Sequence, residues 1–165
     1  MSALLVILPL ALVLVAVQAT LVQPFSLAGG HPDVVLVGLA LLAILFGRES
    51  TIIPAIIIAP FYDAASGFPI GTSILPFAAV VYLAGIGERT LFGARLGWPM
   101  FLAFIATIVA GLITAAELAL MGWTLPWTAT VLRVILPSAL LNAVLMLLMY
   151  LPTEYLRERR AAQLR

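Results

Sequence analysis

The chain contains no cysteine and no lysine, and a single histidine in 165 residues. The first absence removes disulfides, thiol nucleophiles and Cys-based metal sites. The second removes the glycine-rich phosphate loop that ends in Lys. The sole histidine, His31, sits beside Pro32 in a loop without a local ligand partner, which leaves no metal cluster and no Ser-His-Asp set. Charge is scarce too, at 9% of residues with a net of +1. A soluble domain carries about 25% charged residues. No enzyme, cofactor or metal is expected from this inventory, and no nucleic-acid partner is expected either, although the net charge by itself argues neither way.

What the chain has is oil. Hydrophobic residues make up 64%, and the mean hydropathy is +1.23. Such a composition cannot hide its apolar surface in water, so the solvent is lipid. A bilayer core about 30 Å thick takes about 20 apolar residues per helix, leaving room for roughly five to seven spans. Six apolar segments can be read, approximately 3–22, 34–46, 52–62, 73–87, 98–121 and 128–151. No repeat or linker divides them, so 1–165 reads as one transmembrane domain with 152–165 as a short basic tail. Small residues at 16–19 offer a signal-peptide cleavage spacing. No Arg precedes Arg48, however, so the first segment is read as a span. Runs such as LALLAILF do not alternate as barrel strands would, and a helix satisfies its own backbone in lipid.

Arginine appears in every second loop. It is present at 48, at 89 and 95, and at 157, 159, 160 and 165, and missing around 25–33, 63–72 and 122–127. Cytoplasmic loops are the arginine-rich ones, so both termini are expected inside. Trp98, Trp123 and Trp127 fit interface anchors. The tail can lie along an anionic inner leaflet, each Arg contributing about 1 kcal/mol.

The stretch FYDAASGFPIG, 61–71, interrupts the oil on the expected outer face. Pro54 and Pro60 before it should kink or break the third helix. Gly67 and Gly71 permit backbone conformations closed to other residues, and Pro69 fixes its own φ. Asp63 is read as a cap for exposed N–H groups, with contact to a ligand or partner as its functional alternative.

These residues resemble a known family. Asp-Ala-Ala-Ser-Gly-Phe-Pro-Ile-Gly, 63–71, is similar to the Asp-x-x-Ser-Gly-x-Pro-x-Gly stretch of the MreD family of bacterial rod shape-determining membrane proteins. HPDVVLVGLALLAILFGRES (31–50), VVYLAGIGERTLFG (80–93) and LPSALLNAVLMLLMYLPTEYLRER (136–159) resemble further family segments in the same order. The resemblance implies an all-α fold of six transmembrane helices, similar to the substrate-binding subunits of energy-coupling-factor transporters. It implies a non-enzymatic scaffold of the cell-elongation (rod) complex in the bacterial inner membrane, helping to control cell shape and peptidoglycan synthesis. The implied partners are MreC directly, and RodA with its transpeptidase and MreB in the same complex. Membrane lipids are further contacts, and a homodimer stays open. The competing reading is a substrate-binding subunit of a vitamin-type transporter. Against it, the outer loops offer few polar groups beyond Asp63, Ser66, Thr72 and Ser73.

Two charges fall inside the expected spans. Glu117 and Arg133 flank the 122–127 hairpin and are expected to pair across it, with snorkelling to the interface as the alternative. Charges in spans cost about 2.5–3.5 kcal/mol each on insertion scales, which is why a partner is sought. Asn142, in the sixth segment, should bond to another helix or to backbone freed by Pro137.

Overall fold

Each apolar segment carries a helix in the computed structural model, which describes residues 2–22, 29–87 and 97–163, with side chains over 7–20, 29–86 and 97–154. The side chains of Arg89, Arg95, Arg157, Arg159, Arg160 and Arg165 lie outside that description. In chain order the helices are α1 (Ser2–Val17), α2 (Val34–Phe46), α3 (Arg48–Ser66), α4 (Ile74–Gly87), α5 (Gly97–Leu120), α6 (Trp127–Thr130) and α7 (Leu136–Gln163). A π-helical turn, Gln18–Val22, extends α1, and another, Val131–Ile135, joins α6 to α7 in one rod. No strand occurs among the described residues. Two helices, Gly97–Leu120 and Trp127–Glu154, are long and apolar enough to cross a membrane.

The bundle is built around α2. Its sequence, VVLVGLALLAILF, holds no polar residue, and every position from Val35 to Ile44 is buried. It packs against α1, α3, α4, α5 and α7. A helix walled in on all sides needs no polar face. Gly38 brings α1 and α2 together, since a Cβ there would fall 2.3 Å from Leu14 Cδ1. The exterior is apolar as well. Val13, Ile53, Phe61, Phe101, Leu140 and Leu148 are all more than half exposed, as lipid-facing residues are.

Local signals set the helix ends. Asp33 caps α2 by accepting the Leu36 N–H at 2.8 Å. A single residue, Gly47 at φ 83°, separates α2 from α3. Tyr62 then returns to Asp33, so the two helices run antiparallel. The third helix is longer than its apolar segment and runs through both Pro54 and Pro60 without a break. The expected break is therefore corrected. Packing along α1 and α4 holds the helix despite two missing N–H donors. α7 likewise passes Pro152 and continues to Gln163. There the Thr153 hydroxyl donates to the Tyr150 carbonyl at 2.6 Å. The tail begins as helix.

Pro137 explains the widened turn before it. Its missing N–H deprives the Arg133 carbonyl of the usual α-helical bond, and the backbone opens to π over Val131–Ile135. Gly29 and Gly30 lie against this stretch. A Cβ on Gly29 would come 2.5 Å from the Arg133 carbonyl oxygen, and one on Gly30 would come 2.6 Å from the Ser138 nitrogen.

Candidate functional site: a turn, a polar floor and a cup

The turn between α3 and α4 is held from within. Gly67 adopts the left-handed conformation, φ 76° and ψ 16°, and closes α3 as its C-terminal cap. Phe68 N–H also reaches back to the Asp63 carbonyl at 3.0 Å, a Schellman-type ending. Gly71 has φ 104°. The Asp63 carboxylate accepts the Gly71 N–H at 2.7 Å, the Ser73 N–H at 3.1 Å and the Ser73 hydroxyl. The Pro69 carbonyl takes the Thr72 hydroxyl at 2.7 Å and its N–H at 3.2 Å. Asp63 is 0% exposed. Its chemistry is spent on the turn, and it offers no face to a partner.

A second constellation lies deeper, where residues 29–33 dip into the bundle ahead of α2. Gln18 holds both sides of this loop, donating to the Pro32 carbonyl at 3.1 Å and accepting the Val34 N–H at 2.8 Å. Ser138 Oγ accepts the His31 N–H at 2.9 Å. Asn142 Oδ1 accepts the Asp33 N–H at 2.7 Å, and Asn142 Nδ2 donates to Thr107 Oγ1 at 3.1 Å. Thr107 passes its own proton to the Ala103 carbonyl at 2.7 Å. Tyr62 donates its hydroxyl to Asp33 Oδ2 at 2.7 Å. The network ties α1, α2, α3, α5 and α7 to one loop.

The depth of this loop follows from helix geometry. Asn142 lies about 22 Å along its rod from Trp127, and Thr107 about 15 Å along α5 from Gly97. α2, with 13 residues, is about 20 Å long, while α5, with 24, is about 36 Å. α2 therefore starts at mid-height, and the irregular backbone at 29–33 covers the rest. Such backbone must have its polar groups satisfied by neighbouring helices, and Gln18, Ser138 and Asn142 do that, while Tyr62 holds the Asp33 side chain and Thr107 braces Asn142.

Above the floor is a cup of about 420 Å³. Phe68 and Ser73 of the 67–73 turn and Leu125 of the 121–126 hairpin are among its lining residues. Asp33, Tyr62 and Asn142 face it from below, and Phe68, Phe77, Leu118 and Val134 are among its apolar walls. His31 also lines it, but the imidazole makes no hydrogen bond to Ser138 or Asp33, so no Ser-His-Asp relay forms.

The residues singled out from sequence fall into three places. Asp63, Gly67, Pro69 and Gly71 form the turn. Asn142 belongs to the floor, with Pro137 against Gly30 at its edge. Glu117 and Arg133 do not pair, which corrects the expectation. Glu117 Oε2 has no hydrogen-bond partner, and Arg133 is exposed. The α5–α7 register explains this. Gly111 meets Ile135 and Thr107 meets Asn142, so Arg133 stands opposite residues near Thr114, about a turn from Glu117. The polar groups that converge do not come from the outer turns on which the sequence reading counts. They converge from Gln18, Asp33, Tyr62, Thr107 and Ser138, which lie in helices and in the dipping loop. Two signals were present. Gln18 is a lone amide in an apolar segment, and Asp33 stands immediately before an apolar run, where an N-cap belongs.

Among the described residues, an all-helical bundle with an apolar exterior and two long apolar helices fits a membrane protein. A family model described as rod shape-determining protein MreD matches residues 1–159. The chain belongs to that family, and its role lies in rod-shape determination. No curated protein matches it. No solved structure matches it either.

Proposed function

We propose that this chain is a non-enzymatic scaffold of the rod complex, crossing the bacterial inner membrane six times with both termini in the cytoplasm. It binds MreC directly and through it joins RodA, its transpeptidase and MreB, helping to control peptidoglycan synthesis. The observation that carries this reading is the family match over 1–159. The arginine pattern of the loops supports the orientation. The 67–73 turn suits a docking role on the outer face. Its shape is fixed by two positive-φ glycines and a buried carboxylate, so it can present a preset surface without an ordering cost on binding.

The test is recovery of MreC with this chain from native membranes after mild solubilisation, alongside depletion of the chain in growing cells. MreC in the eluate and rounding of depleted rods are the expected results. An eluate free of MreC, from cells that round on depletion, would leave the family role and remove the direct contact.

A further inference from the structure

Several floor residues that line the cup have hydrogen-bonding capacity that the fold leaves unused. Asp33 Oδ1 accepts from Leu36 N–H and Oδ2 from Tyr62, and the Val35 N–H also acts on the carboxylate, so at least one of its four accepting sites stays open. Asn142 Nδ2 gives one of its two protons to Thr107. Ser138 Oγ accepts from His31 N–H, and its own proton goes to no residue described. Asp33, Ser138 and Asn142 all line the cup, and its walls are apolar and aromatic. No arginine is among the lining residues, and Asp33 is their one acidic group.

We propose that this cup is a binding site for a small amphipathic molecule, neutral or singly cationic, that donates to Asp33 and lays an apolar body against Phe68 and Phe77. A volume of about 420 Å³ falls within the roughly 300–1,000 Å³ of small-molecule sites, which combine apolar walls with a few placed polar groups. The site disfavours anions, because a negative group would meet the Asp33 carboxyl with no arginine or lysine among the lining residues to offset it, His31 being the one basic side chain there. Phosphorylated headgroups are disfavoured on the same ground. The inference does not rest on the rod-complex reading, since occupancy of the cup needs no partner.

The test uses three probes with one ring system and three charges at pH 7. These are tryptamine, indole-3-acetamide and indole-3-acetate. Each is titrated against the full chain in phosphatidylcholine nanodiscs, with empty nanodiscs subtracted to remove partition into lipid. Tryptamine or the acetamide should bind at least tenfold more tightly than the acetate. Thr114→Trp fills the cup from α5 without touching the floor network. It should weaken that binding at least tenfold at an unchanged melting temperature. Asp33→Asn should shrink the preference for tryptamine over the acetate to threefold or less. The proposal is overturned if the acetate binds as tightly as tryptamine, if none of the three binds above the empty nanodisc at millimolar concentration, or if Thr114→Trp leaves binding unchanged. Should Asp33→Asn fail to fold, the wild-type charge series and Thr114→Trp still decide the matter.

Discussion

The backbone N–H of Asp33 donates to Oδ1 of Asn142 at 2.7 Å across 109 positions of sequence. This bond fastens the start of the central helix to the last rod, and Asn142 passes the connection on to Thr107 in α5. An amide that is 0% exposed and serves two partners is expensive to remove. Asn142→Ala should lower stability by about 1–3 kcal/mol, because the Asp33 N–H is left unsatisfied at mid-height. Thr107→Ala should cost less, and the double mutant should lose less than the sum. Thermal unfolding in detergent measures all three. Additive losses would show that the two side chains act separately.

Two glycines of similar appearance should behave differently. A Cβ on Gly30 meets the Ser138 nitrogen at 2.6 Å and Pro137 Cβ at 2.7 Å, whereas one on Gly67 meets nothing within 4 Å. Backbone cannot step aside, so Gly30→Ala should cost about 3 kcal/mol, at the upper end of overpacking effects. Gly67→Ala carries only the left-handed backbone penalty of about 1 kcal/mol. Equal melting temperatures for the two variants would contradict the close approach of the dipping loop to α7.

Glu117 and Arg133 should act independently. They share no partner, so the losses from Glu117→Gln and Arg133→Leu should add within about 0.5 kcal/mol in a double-mutant cycle. A coupling well above that would mean that the two side chains meet in the membrane after all.

The alternation of arginine-bearing and arginine-free loops sets the expected sidedness. Cysteines placed at Ser66 and Gly122 should react with an impermeant reagent from outside intact spheroplasts. One at Gln163 should react only after permeabilisation. Labelling at position 163 in sealed cells would reverse the orientation.

Several features were legible in the sequence because their causes are local. Asp33 before an apolar run and Gly47 after it mark α2, and both ends fall where those residues put them. The turn at 67–73 shows in its glycines, proline and carboxylate. The third helix was read too short, since RES and DAAS look like loop. They are carried into the helix by its end at Gly67 and by packing on α1 and α4. The floor network was hidden because it depends on distant register. Gln18 reaches 14 and 16 positions along the chain, Tyr62 reaches 29, and Asn142 reaches 35 and 109. Periodicity says that a helix forms, but not which of its faces meets which loop. The Glu117–Arg133 expectation failed for the same reason. Nearness to one hairpin does not put two side chains on facing turns.

The central claim is that the 67–73 turn presents a preset shape to MreC, and partner recovery from turn variants tests it most directly. Gly67→Val and Gly71→Val would force β-branched residues into φ of 76° and 104°. Asp63→Asn keeps an acceptor for the Gly71 N–H while removing the charge. With MreC recovery normalised to the amount of each variant in the membrane, both valine variants should lose most of the partner, and Asp63→Asn should lose less. Full recovery with both valine variants, together with loss in Asp63→Asn alone, would contradict the account and make the carboxylate itself the point of contact.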